Sequence, residues 1–135
     1  MQKQSFVIDG LEISTLEEFF ACFQNAVLGG ARWGGNLDAF NDVLRGGFGS
    51  PAEGFVLIWK NHSTSKERLG FGETTRQLEI RLTRCHPANV QSVQVQLDAA
   101  RRGEGPTVYD WLVEIISTHG AGGQEPEDGV ELLLA

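Results

Sequence analysis

The 135-residue sequence has little of what marks several protein classes. It contains two cysteines, four prolines and one tyrosine. Two cysteines are too few for a disulfide framework, and we expect Cys22 to be a small buried hydrophobic residue. No apolar run approaches the roughly 20 residues that a membrane helix needs. The first residues carry no long apolar stretch and no cleavage site, so the sequence predicts a cytoplasmic protein without a signal peptide.

Positive charge is also scarce at both ends of the chain. Residues 1–59 carry seven acidic and three basic side chains, residues 60–102 carry four and eight, and residues 103–135 carry seven and none. The formal net charge of the whole chain is −7. An acidic surface repels the phosphates of nucleic acid and favours a basic protein partner. The alternative is that the acidity only keeps the protein soluble.

The length favours a single domain over residues 1–135, large enough to bury a core. Strand-prone runs at residues 6–8, 55–59 and 130–134 are separated by segments with helical spacing of apolar residues. The unbroken apolar run at 55–59 predicts a strand buried on both faces. The order β-α-α-β-α-α-β therefore predicts an α/β fold of three layers, with a small three-stranded parallel sheet and flanking helices.

Residues 71–105 form an insertion between the last two predicted helices, and their pattern is ambiguous. Apolar residues alternate with polar ones at 78–82 and again at 93–97, which favours a β-hairpin. Against the hairpin, Val90, Val93, Leu97 and Ala100 also fit one helical face, with Pro87 at the helix start and Gly103 past its end. The hairpin is the expectation, and a helix over the second half is the alternative.

The most informative stretch is residues 36–45. With Asn36 as N-cap, a helix over 37–45 separates its residues onto two faces. The apolar face comprises Leu37, Ala39, Phe40, Val43 and Leu44, and the polar face comprises Asp38, Asn41, Asp42 and Arg45. Asp38 and Asp42 are four residues apart, so their carboxylates stand one turn above each other on the exposed side.

Three roles are open for these two carboxylates. In the first, the carboxylates belong to a solvated helix face, and Arg45 pairs with Asp42. In the second, they are part of a metal or acid–base site. In the third, they mimic phosphate groups in the cleft of a nuclease. The second role has little support, because no histidine or third carboxylate lies nearby in the sequence. We therefore predict no metal, no cofactor and no catalytic residues.

The same stretch resembles a known family. The run Trp33-Gly34-x-Asn36-Leu37-Asp38-Ala39-x-x-Asp42-x-Leu44-x-Gly46 is similar to the barstar family of intracellular ribonuclease inhibitors. The strand-like runs at 6–10, 54–59 and 130–134 match in the same order. The resemblance covers residues 5–70 and 106–135, and it implies the barstar fold with residues 71–105 inserted.

The resemblance also implies a site. In this family the helix plugs the active site of the ribonuclease, and its acids pair with the cationic groups that otherwise grip RNA phosphate. Asp38 and Asp42 stand at the matching positions, and Asn36, Asn41, Trp33, Gly34 and Arg32 lie in or beside the same helix and its approach loop, residues 29–35. Glu114 lies near an additional acidic contact of the family. The chain departs from the pattern at Arg32, at Asn41 and at residues 47–48, where the family usually presents a tyrosine and two tryptophans.

These observations predict a non-enzymatic inhibitor of a small basic microbial ribonuclease, or the immunity protein of a nuclease toxin, that binds neither nucleic acid nor a membrane directly. Two alternatives are kept. In the first alternative, the chain is a barstar-like scaffold that binds a partner other than a nuclease through the basic insertion. In the second, it is a metal-dependent hydrolase that uses the same carboxylates.

Overall fold

The computed structural model describes residues 3–31, 33, 35–46, 50–51 and 53–135. These residues form a three-stranded sheet and six α-helices. The strands are β1 (Gln4–Asp9), β2 (Phe55–Lys60) and β3 (Glu131–Leu134). The helices are α1 (Leu16–Val27), α2 (Leu37–Val43), α3 (His62–Arg68), α4 (Phe71–Arg84), α5 (Val90–Arg101) and α6 (Val108–Thr118).

The sheet has the order β1-β2-β3, and both strand pairs are parallel. The predicted α/β fold with a three-stranded parallel sheet is confirmed. The expected burial of β2 on both faces is met only in part, because Leu57 and Trp59 are fully buried whereas Val56 and Ile58 are partly buried. Crossovers between parallel strands are almost always right-handed, so a sheet in sequential order carries both helical connections on one face.

Aromatic residues of α1 and α2 make the centre of the core. The ring of Phe19 lies 5.4 Å from that of Phe40 and 5.0 Å from that of Trp59, so α1 joins α2 to the central strand. Thr15 caps α1 by accepting a hydrogen bond from the N–H of Glu18. Cys22 packs against this core but is only partly buried, and burial raises the pKa of its thiol. These contacts fix the position of α2.

The segment predicted as a β-hairpin is instead a pair of helices, α4 and α5. The alternation at 93–97 counted Val95 as a core residue, but Val95 is 62% exposed. Val93, Leu97 and Ala100 are buried together with Leu78 of α4, which is the helical spacing of three and four residues. The hairpin expectation is therefore wrong, and the helical alternative is confirmed for the second half. None of the described helices is long and apolar enough to cross a membrane.

Candidate partner-binding site

Helix α2 is short and is held by its apolar face. Asn36 caps it, because its side-chain oxygen accepts a hydrogen bond from the backbone N–H of Ala39 at 2.8 Å. Phe40, Val43 and Leu44 are buried, as the sequence predicts. The helix ends at Val43 with Leu44 as its C-cap, two residues before the predicted end at Arg45. An isolated helix of this length is unstable in water, so tertiary contacts must maintain α2.

The polar face of α2 carries the two predicted carboxylates. Asp38 is exposed, and no hydrogen bond or ion pair links its carboxylate to any residue that the structure describes. Asp42 is exposed as well, and its Oδ1 lies 2.8 Å from Nη1 of Arg45. The pairing of Arg45 with Asp42, which belongs to the interpretation of this face as solvated, is therefore present. The two acids differ in the free protein, since only Asp42 has a cationic neighbour within bonding distance among the described residues.

Arg45 also links α2 to the segment that follows α6. Its Nε and Nη2 atoms donate to the two carboxylate oxygens of Glu125 at 3.0 and 3.1 Å. The hydrogen bond from Arg45 lowers the pKa of Glu125, and the hydrogen bond to Glu125 raises the pKa of Arg45 in return. A bidentate pair of this kind fixes orientation as well as distance. It joins residues 80 positions apart, and sequence reasoning missed it.

A second link lies one helical turn earlier, at Asn41. His119, the C-cap of α6, is fully buried, and its Nε2 lies 2.7 Å from Oδ1 of Asn41. Its Nδ1 lies 2.7 Å from Oδ2 of Asp128, which belongs to a 3₁₀ turn over Pro126–Asp128. Sequence reasoning missed both His119 and Asp128. The only local signal was a cluster of acids in the loop before β3, and no spacing rule connects that loop to α2.

His119, Glu125 and Asp128 also deserve consideration as metal ligands. One potential ligand atom from each lies within 4.8 Å of the others, so the structure brings a histidine and two further carboxylates close to α2. However, both oxygens of Glu125 already accept hydrogen bonds from Arg45, and both ring nitrogens of His119 have polar neighbours at 2.7 Å. A guanidinium beside the same carboxylate opposes a second cation. The arrangement favours a hydrogen-bonded network over a metal centre.

The other predicted site residues are dispersed. Trp33 is 8% exposed and belongs to the core, with its ring 5.2 Å from that of Phe20. Asn41 is partly buried and directs its side-chain oxygen towards His119. Glu114 is exposed on α6. Arg32, Gly34 and residues 47–48 lie outside the described residues.

The α4 helix is bonded to the elements on either side of it. Glu73, in the first turn of α4, accepts a hydrogen bond from the backbone N–H of Leu16 at 2.8 Å, and Arg76 bonds both Glu73 and Glu17. Thr74 accepts a hydrogen bond from the N–H of Val108, which ties α4 to α6.

Most arginines of this segment are already engaged within the protein. Arg81 lies over the ring of Trp111 at 5.2 Å, and Arg101 and Arg102 lie near Glu79 and Glu104 at 3.5 and 3.3 Å. Exposed ion pairs of this kind contribute little to stability, but the glutamates in them offset the positive charge of the arginines that a partner would meet.

The chain matches the model of a known protein family. The family model described as Barstar (barnase inhibitor) matches residues 3–82, which is more than half of the chain. The matched part contains β1, α1, α2, β2 and α3, and it ends within α4. A search of curated proteins finds no match.

Proposed function

This chain belongs to the barstar family, and on that premise we propose that it inhibits a small basic microbial ribonuclease by occupying the active site of the enzyme with α2. The family supports a ribonuclease partner of this kind and an inhibitor rather than an enzyme. The observation that carries the proposal is the outer face of α2, where Asp38 and Asp42 point away from a buried apolar anchor. The same chemistry fits the immunity protein of a nuclease toxin.

The physical basis is the charge that a ribonuclease must keep in its cleft. Its cationic side chains bind phosphate, and they are partly desolvated when the cleft is filled. Carboxylates on a rigid helix match such groups by charge-assisted hydrogen bonds and offer no bond that the enzyme can cleave. Inhibition is then a reversible blockade, and the acidic surface speeds encounter with a basic enzyme.

The two carboxylates have different tasks in this proposal. By the family pattern, Asp42 is the carboxylate inserted most deeply, so we expect its loss to weaken binding most. In the free protein Asp42 is bonded to Arg45, so a cation of the nuclease must displace or share that guanidinium. Asp38 has no such competitor among the described residues, and it is free to make the first electrostatic contact.

Partner binding is proposed for α2 rather than for the α4 and α5 helices. The arginines of α4 and α5 are largely paired within the protein, and Glu73 and Thr74 hold α4 against α1 and α6. A deletion of the segment would remove these contacts together with any binding surface. Point substitutions on α2 are therefore the cleaner test.

The test is cleavage of a fluorogenic RNA by a panel of purified guanyl-specific microbial ribonucleases, with and without this protein. We expect stoichiometric inhibition of at least one enzyme, weakened by added salt because exposed charges are screened. Asp42→Asn should raise the inhibition constant by about 30-fold or more, the cost of leaving a buried cation without its partner, and Asp38→Asn should have a smaller effect.

A matched control is Asp98→Asn on α5. Asp98 is 49% exposed against 55% for Asp42, and it also lies near an arginine three residues later, at 4.0 Å. The control removes the same charge in a similar setting but outside α2. It should therefore leave inhibition unchanged. If the Asp38 and Asp42 variants inhibit as well as the wild type, phosphate mimicry by α2 is wrong. If no enzyme of the panel is inhibited, the partner is not a ribonuclease of this class.

A further inference from the structure

Two side-chain links tie the outer face of α2 to the segment after α6, and one of them contains a buried histidine. Asn41 and Arg45 are one helical turn apart, and they reach His119 and Glu125 respectively. His119 is fully buried at the C-terminus of α6, between an amide oxygen and a carboxylate oxygen that each lie 2.7 Å from a ring nitrogen. Each neighbour presents an oxygen to the ring, and a ring with a proton on both nitrogens donates to both of them.

We propose that His119 is a positioning residue, held as an imidazolium that donates to Asn41 and Asp128 and thereby fixes α2 against the rest of the molecule. The inference rests on the proposed function only in taking α2 as the partner-binding helix. Asn41 then serves α2 from within the protein rather than by contact with the partner.

The surroundings of His119 suit a positive ring. Asp128 supplies a carboxylate at 2.7 Å, and the nearest oxygen of Glu125 lies at 3.9 Å. The ring also stands at the C-terminal end of α6, where the helix dipole favours a cation. Arg45 is the opposing charge nearby, and Glu125 neutralises it through two hydrogen bonds.

These links make α2 more rigid before the partner binds. A seven-residue helix has little stability of its own, so each link that holds α2 removes motion that would otherwise have to be lost when the partner binds. Pre-organisation of this kind acts chiefly on the dissociation rate. The links from Asn41 and Arg45 leave the carboxylate of Asp38 unobstructed by any described side chain.

The test uses the free protein, so its result does not depend on the identity of the partner. Nitrogen NMR of the imidazole side chains at pH 7 reports how many ring nitrogens carry a proton. Hydrogen exchange reports the protection of the α2 amides, including those of Phe40 and Leu44, which donate to Asn36 and Phe40. We expect two protonated nitrogens in His119. In His119→Gln, the α2 amides should exchange at least tenfold faster while the α1 amides are unchanged.

Two variants of Asn41 make the test specific. Asn41 is only partly buried, so the fold tolerates a substitution there more readily than one at the fully buried His119. Asn41→Asp keeps an acceptor opposite Nε2, so the doubly protonated ring and the protection of α2 should persist. Asn41→Leu removes the acceptor and should lose both. His62→Gln is the matched control, because among the described residues the His62 side chain makes one hydrogen bond, with Tyr109 at 3.0 Å. That variant should leave α2 unchanged.

Each contrary outcome overturns the proposal. A ring with one protonated nitrogen, or loss of α2 protection in Asn41→Asp, means that the amide of Asn41 donates and the ring is neutral. Unchanged protection of α2 in both His119→Gln and Asn41→Leu means that the network does not position the helix. If the network behaves as expected but no ribonuclease is inhibited, the proposed function fails while the positioning role stands.

Discussion

The buried carboxylate of Glu73 offers the sharpest test of how the chain is held together. Glu73 is the fixed point between α4 and α1, and its side chain is 5% exposed. Its Oε2 accepts from the N–H of Leu16 at 2.8 Å, and its Oε1 accepts from Nε of Arg76 at 2.7 Å. Glu73→Ala removes these interactions together with the hydrogen bonds from Nη2 of Arg76 and Nε2 of Gln77, whereas Glu73→Gln retains an oxygen that can accept from Leu16 but removes the charge and one of the two acceptor oxygens.

The expected magnitudes follow from these two contacts. Leaving the buried N–H of Leu16 without an acceptor costs about 1–3 kcal/mol, and a net hydrogen bond to a charged group contributes about 1.5–3 kcal/mol. The guanidinium of Arg76 is 44% exposed, so solvent screening places its share at the low end of that range. We expect Glu73→Ala to lower the free energy of unfolding by about 3 kcal/mol and Glu73→Gln by about 1.5 kcal/mol.

The assay is urea unfolding at pH 7, followed by tryptophan fluorescence, with the midpoint and the slope determined for each variant. Glu79→Gln is the control, because Glu79 lies on the same helix, is 53% exposed and faces an arginine at 3.5 Å. Its effect should be below about 0.5 kcal/mol. If Glu73→Ala costs no more than Glu79→Gln, the carboxylate does not hold α4 against α1, and the argument is refuted.

The acid dependence supplies an independent check on the same residue. Burial raises the pKa of Glu73, but hydrogen bonds from Arg76, Gln77 and Leu16 outweigh it and hold that pKa below its usual value. As the pH falls, the unfolded chain therefore takes up this proton before the folded protein does, so the contribution of the carboxylate to stability is lost. The stability gap between wild type and Glu73→Gln should narrow below about pH 4.5, near the usual glutamate pKa. A gap that widens on acidification would contradict the sign of the effect.

Two further predictions concern the fold. Leu97→Ala should lower stability by about 3 kcal/mol and Val95→Ala by less than about 0.5 kcal/mol in urea unfolding, because Leu97 is buried and Val95 is exposed in α5, whereas a hairpin would bury both. Gly54→Ala should lower the melting temperature by far more than Gly122→Ala. Both glycines have positive φ, but only at position 54 would a Cβ meet backbone, the carbonyl oxygen of Gly129 at 2.3 Å. Equal effects within either pair would contradict the corresponding packing.

The sequence predicts those features that nearby residues determine. The cap at Asn36, the two faces of α2 and the pairing of Arg45 with Asp42 all depend on residues within one or two helical turns. They are confirmed for that reason. The end of α2 is less well defined, because Leu44 and Arg45 are compatible with either a last helical turn or a cap.

Features set by tertiary contacts are not visible in the sequence. Between residues 77 and 97, alternation and helical spacing coexist, and only the burial of Leu78 against Leu97 decides for helices. The unequal burial of the two faces of β2 depends on the order of the strands rather than on its own apolar run. Likewise, nothing near α2 in the sequence indicates that His119 and Glu125 lie against it.

Position 41 connects the departure from the family pattern to the network after α6. The family usually presents a tryptophan there, and an indole has no acceptor to offer a histidine N–H. Asn41 has one, and it lies 2.7 Å from Nε2 of a buried histidine. In the proposed network the position serves the internal support of α2 and offers no aromatic side chain to a partner. If α2 inhibits a ribonuclease as proposed, the affinity should depend more on Asp38 and Asp42, and inhibition should be more sensitive to salt than in relatives that retain the tryptophan.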